Sequence, residues 1–97
     1  MTIELHPGAA QDLIDALRLY RREAGQAVAR RFVAEFARVA QLLGELPDLG
    51  TPTDGGRRVY PLTGFPYSII YKAIPAGLRA LVVRHQSRHP LRGEHRG

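Results

Sequence analysis

The chain has 97 residues, room for one domain and one core, and at that size folding buries roughly 60–65% of the unfolded surface. It contains no cysteine, which excludes disulfides, thiolate metal sites and a thiol nucleophile and suits a reducing cytoplasm. Fourteen basic residues, Lys72 being the only lysine, oppose nine acidic ones for a net charge of +5. So many guanidinium groups point to an acidic protein or a nucleic acid as partner, or to solvated helix faces. The start "MTIELHPGAAQDL" lacks a basic leader with an apolar core, and no apolar run approaches ~18 residues, so a soluble, unexported protein is expected.

"TIELH" alternates Ile3 and Leu5 with polar neighbours and predicts a short strand. Pro7 suits the first turn of a helix, and Leu13, Leu17 and Tyr20, flanked by Ile14, recur at helical spacing. Asp12 and Asp15 lie toward its N-terminal end, and Gly25 predicts its stop. A second helix carries Phe32, Phe36, Val39, Leu43 and Leu46 on one stripe before Pro47. Glu35 stands at pairing distance from both Arg31 and Arg38. An α-hairpin with an apolar stripe on each helix must cover something more, and a sheet is the natural candidate.

"PDLGTPTDGG" reads as loop. "RRVYPL" follows as a short strand whose Pro61 favours an edge or a strand end. "PYSIIYKAI" and "LRALVVRHQ" form a hairpin through "IPAG". The predicted order is β-α-α-β-β-β, an α+β fold with the helices on one face of a small, mainly antiparallel sheet. In the strand from Tyr67, the residues Tyr67, Ile69 and Tyr71 alternate with Ser68, Ile70 and Lys72, so whichever set meets the helices, the other still presents apolar surface. A second such face calls for a partner, a binding groove or a cover from the basic tail 87–97.

The segments "LHPGAAQDL", "RRFVAEF", "PDLG", "GRRVYPLTGFPYSIIY" and "VVRHQSRHP", spanning Ile3 to Pro90, resemble the ParE/RelE superfamily of toxins from type II toxin–antitoxin modules. The resemblance implies one toxin domain over residues 1–97 and a cognate antitoxin lying across the sheet and helices in a hetero-oligomeric complex. Tyr60, Tyr67, Ile69 and Tyr71 are the expected antitoxin contacts, with core packing as their alternative role.

Two branches of the superfamily differ in chemistry. RelE-like members cut mRNA on the ribosome, which requires a base, an acid and cations on the phosphate. ParE-like members block DNA gyrase. Laid on this chain, the arginines of the RelE-like pattern fall at Ser68 and near Gln86, and its tail tyrosine falls near Arg92. A nuclease would therefore have to use His85 and His89 as acid and base, with Arg84 and Arg88 on the phosphate. The ParE-like reading assigns no catalytic residue and places target contacts at Arg84, Arg88, His89 and Arg92. Arg57 and Arg58 either join that surface or pair with Asp54. No metal site is expected, because His85 and His89 lack a third ligand, and no cofactor is expected. A degenerate antitoxin-binding member and a small nucleic-acid-binding domain are the remaining alternatives. The latter lacks any phosphate loop, since "DGGRR" is short and is read as following no strand.

Overall fold

Pro7 occupies the first turn of the first helix, where its missing N–H is no loss, and His6 Nδ1 accepts the Gly8 N–H at 2.9 Å to cap that end. The computed structural model describes residues 2–87. β1 (Thr2–Leu5) leads into α1 (Pro7–Ala24) and α2 (Gln26–Glu45). β2 (Thr51–Thr53), a 3-10 turn (Asp54–Gly56), β3 (Arg57–Pro61), β4 (Tyr67–Ile74) and β5 (Gly77–His85) follow. Gly25 both ends α1 and starts α2 at φ 92° and ψ 168°, backbone space that a side chain disfavours strongly. One residue thus reverses the chain.

The strands form one sheet in the order β1-β5-β4-β3-β2. β1 runs parallel to β5, and every other neighbouring pair is antiparallel. The α+β order agrees with the sequence reading except at β2. Three residues with a central proline lie inside what reads as loop, yet Thr51 and Thr53 pair with Val59 and Arg57. "DGGRR" therefore does follow a strand: it is a hairpin turn, with Gly55 and Gly56 at φ 71° and 72°. The β4–β5 hairpin closes with Ile74 opposite Gly77.

Both helices pack on one face of the sheet. Ala9, Ala16, Phe32, Phe36, Val39 and Leu43 meet Tyr67, Ile69, Tyr71, Leu78, Ala80 and Val83 in one core, with Leu13 and Tyr20 against its margin. Leu46 departs from the expected stripe: it sits at the C-cap of α2 and turns outward. The register of β4 and β5 shifts at Ile70 and Tyr71, where a bulge leaves Leu81 without an opposite residue. The bulge sends Leu81 and Val82 together to the far face, where they bury with Ile70 against Val59. That arrangement accounts for the apolar character of both sides of β4.

Two polar contacts lock the helices to the sheet. Beyond Ala80, β5 has no further β1 residue to pair with, and the Asp12 carboxylate of α1 accepts the Val83 N–H at 3.1 Å instead. At the other end, Tyr71 is wholly buried, yet its hydroxyl is satisfied twice. It donates to the Pro47 carbonyl at 2.7 Å and accepts the Gly50 N–H at 2.9 Å. Burial pushes the Tyr71 phenol above its usual pKa of 10.0, so it keeps its proton and its donor role.

Gly50 lies so close to this ring that a Cβ there would stand 2.6 Å from the hydroxyl and 3.0 Å from the Val59 carbonyl. Gly50→Ala should therefore cost about 2–3 kcal/mol by overpacking. Chemical denaturation would read this as a lower midpoint at unchanged slope; an unchanged midpoint would contradict the close fit.

Candidate functional site

The positions that a RelE-like nuclease fills with arginine come together in space but carry no charge. Ser68, the second residue of β4, lies on the far face and pairs with Arg84, and Gln86 follows β5. Gln86 Nε2 lies 3.4 Å from Ser68 Oγ and 3.5 Å from the Tyr67 carbonyl, while the Gln86 N–H donates to the Pro66 carbonyl at 2.9 Å. A neutral amide and a hydroxyl cannot stabilise a phosphorane-like charge as guanidinium groups do.

Arg84 and His85 close β5 on opposite faces. His85 turns toward the helices, its ring edge-on to Tyr67 with centroids 5.0 Å apart. Its Nδ1 accepts the Ser87 N–H at 3.2 Å and lies 2.8 Å from Ser87 Oγ. This is a local turn contact that orients the ring through Nδ1. Arg88, His89 and Arg92 lie outside the described residues. Among the described residues no three His, Asp or Glu side chains converge as metal ligands.

The far face of the sheet is apolar at its centre, where Ile70, Leu81 and Val82 cluster, and cationic around it. Lys72 stands directly opposite Arg79, which faces Glu4 of β1 on its other side. Arg58 belongs instead to the helix side. It donates to the Asp48 and Gly50 carbonyls at 3.1 and 2.8 Å and lies 3.7 Å from the Asp48 carboxylate. Of the two roles expected for Arg57 and Arg58, joining the C-terminal surface or pairing with Asp54, Arg58 takes neither and pairs with Asp48.

Three of the four residues expected as antitoxin contacts lie in the core, the alternative role read for them. Tyr67, Ile69 and Tyr71 are 3, 1 and 0% exposed in the core beneath the helices, and Tyr60, half-buried, packs against the same cluster. Their alternation with Ser68, Ile70 and Lys72 left the choice of face open, and the helices took the aromatic set. None of those three offers a surface to a second chain.

Accessible apolar groups lie elsewhere. A groove of about 210 Å³ between the helices is lined by Leu17, Ala29 and Val33 and edged by Arg21 and Arg30. Val33 is exposed there, and so is Ile14, one turn earlier on α1. Neither Arg21 nor Arg30 forms an ion pair among the described residues. A second cleft, of about 590 Å³, opens past the hairpin tip between Tyr20, Arg31 and the loop carrying Phe65. Arg31 lacks its expected partner because Glu35 is taken. That carboxylate binds Arg38 through two 2.8 Å bonds and accepts the Thr63 N–H at 2.6 Å. The signal that sequence spacing missed was this tertiary N–H.

The model of the ParE toxin of type II toxin-antitoxin systems, parDE, matches residues 3–90. The chain belongs to the ParE toxin family. A chain of the chromosomal ParDE toxin–antitoxin system from P. aeruginosa shares the fold, at a TM-score of 0.78 and 20% identity, with 88% of this chain and 95% of that one covered. No curated protein matches. This ParE chain has, among its described residues, no helix long and apolar enough to cross a membrane.

The Arg38 hydrogen bonds, and next the Thr63 N–H, hold the Glu35 carboxyl below its ordinary pKa of 4.5 against an opposing burial effect. A depressed carboxyl stabilises the fold above its unfolded pKa, and that contribution fades as pH falls through the folded value. Glu35→Gln should therefore lower stability near neutral pH and flatten its decline below pH ~4.5. Thermal melts of both proteins from pH 3 to 7 check this; parallel curves would contradict it.

Proposed function

We propose that this ParE-family chain is the toxin of a type II module that acts in the cytoplasm by inhibiting DNA gyrase, and that a cognate antitoxin neutralises it in a hetero-oligomeric complex. The observation that carries the choice of target is the neutral Ser68–Gln86 pair. These are the positions at which the RelE-like pattern carries arginine, and the His85 ring packs edge-on to Tyr67 on the helix side of the sheet, on the opposite face from Ser68. Inhibition of a target protein demands no base, acid or cofactor, only a complementary surface.

Arg84, at the end of β5, and the following Arg88, His89 and Arg92 are the proposed gyrase contacts. The antitoxin reading is supported by the groove between α1 and α2, whose apolar floor and arginine rim suit an acidic amphipathic segment. It replaces the buried face of β4 as the proposed docking place.

A supercoiling assay tests the proposal. The purified chain should block gyrase, and its antitoxin should relieve the block. Arg84→Ala should weaken inhibition about tenfold, equivalent to ~1.4 kcal/mol of contact. Replacing both His85 and His89 with alanine should leave growth arrest intact. Specific mRNA cleavage that disappears in the histidine variant would overturn the proposal in favour of a nuclease.

A further inference from the structure

The most exposed large apolar side chains among the described residues are Leu46 and Leu49, at 53 and 44%. Both sit on the short connection from α2 to β2, and the Leu49 N–H donates to the Leu46 carbonyl at 3.1 Å, closing a turn that presents them together. The turn is held from beneath at several points. The Tyr71 hydroxyl grips the Pro47 carbonyl and the Gly50 N–H, and Arg58 holds the Asp48 and Gly50 carbonyls. Fixing exposed apolar groups in one geometry lowers the entropic cost of docking.

The charge here runs against the rest of the molecule. Glu45 and Asp48 flank the leucines, and the Asp48 side chain remains 94% exposed despite its distant contact with Arg58. Together with Pro47 they line a shallow recess of about 330 Å³. In a chain of net charge +5 this is a local acidic rim on an apolar floor, opposite in sign to the arginine-edged groove between the helices.

We propose that the Leu46–Leu49 turn is a separate docking surface for a basic amphipathic helix, whose apolar stripe seats on the leucines while its lysines or arginines meet Glu45 and Asp48. Its partner differs in charge from the acidic segment proposed for the groove, so the two surfaces select different partners.

Titration of the full chain with a synthetic amphipathic helix made of leucine and lysine, followed by backbone amide shifts, tests this directly. The shifts should saturate and concentrate on residues 45–50, and a leucine–glutamate helix should not produce them. Leu46→Asp with Leu49→Asp should weaken the lysine peptide at least about tenfold, ~1.4 kcal/mol, at an unchanged melting temperature. Leu49→Ser alone, with a smaller loss, serves if the double variant melts early. Shifts that are absent, that scatter over the surface, or that survive both variants would overturn the proposal.

Discussion

One buried phenol, hydrogen-bonded twice, ties the connection after α2 to the core. Tyr71 stands in the middle of the sheet, fills the core beneath α2, and reaches the connection that leaves that helix. A phenylalanine-sized body there satisfies the hydrophobic demand. The hydroxyl adds something else, because it must be paired once it is out of water. By pairing with Pro47 and Gly50 it fixes where α2 ends and where β2 begins. The absence of a side chain at Gly50 is the steric counterpart of that contact. Core, sheet edge and the exposed leucine turn are thereby held in one geometry.

Charge divides the surface into regions with different chemistry. Arginines border the groove between the helices, cations ring the apolar far face of the sheet, and Glu45 with Asp48 mark the turn after α2. Where a nuclease needs concentrated positive charge, this molecule places Ser68 beside Gln86. The net charge of this ParE-family chain is thus the sum of surface regions of opposite sign.

Much of the fold was legible because its helices bury simple stripes. The 4-3-4 spacing from Phe32 to Leu43 needed no tertiary knowledge, and Gly25 and Pro47 punctuate the chain as their backbone chemistry requires. β2 was hidden, since Thr51–Thr53 is three residues long, contains a proline and sits amid turn formers; its pairing with β3 is a tertiary fact. The face of β4 was left open because Ile70 lends apolar character to the otherwise polar set of Ser68 and Lys72, and the bulge at Leu81 that gathers the far-face cluster leaves no mark in composition. Glu35 looked shared between two arginines until the Thr63 N–H claimed it, and Asp12 looked like a helix-end charge until it met Val83. In the candidate site, Ser68 and Gln86 were identified from the family pattern as missing arginines, and their proximity agrees with that alignment. The surface groove left no sequence signal, because Leu17 reads as an ordinary member of the first helix's stripe and Val33 lies outside the stripe of the second.

The most direct test of the Tyr71 account is amide hydrogen exchange on Tyr71→Phe, which keeps the ring and removes only the hydroxyl. The expected result is a folded protein whose Ile69 and Val83 amides stay protected while Gly50 and Leu49 exchange much faster. Gly50 protection equal to that of the unaltered chain would contradict the account, since the turn would then be held without the phenol.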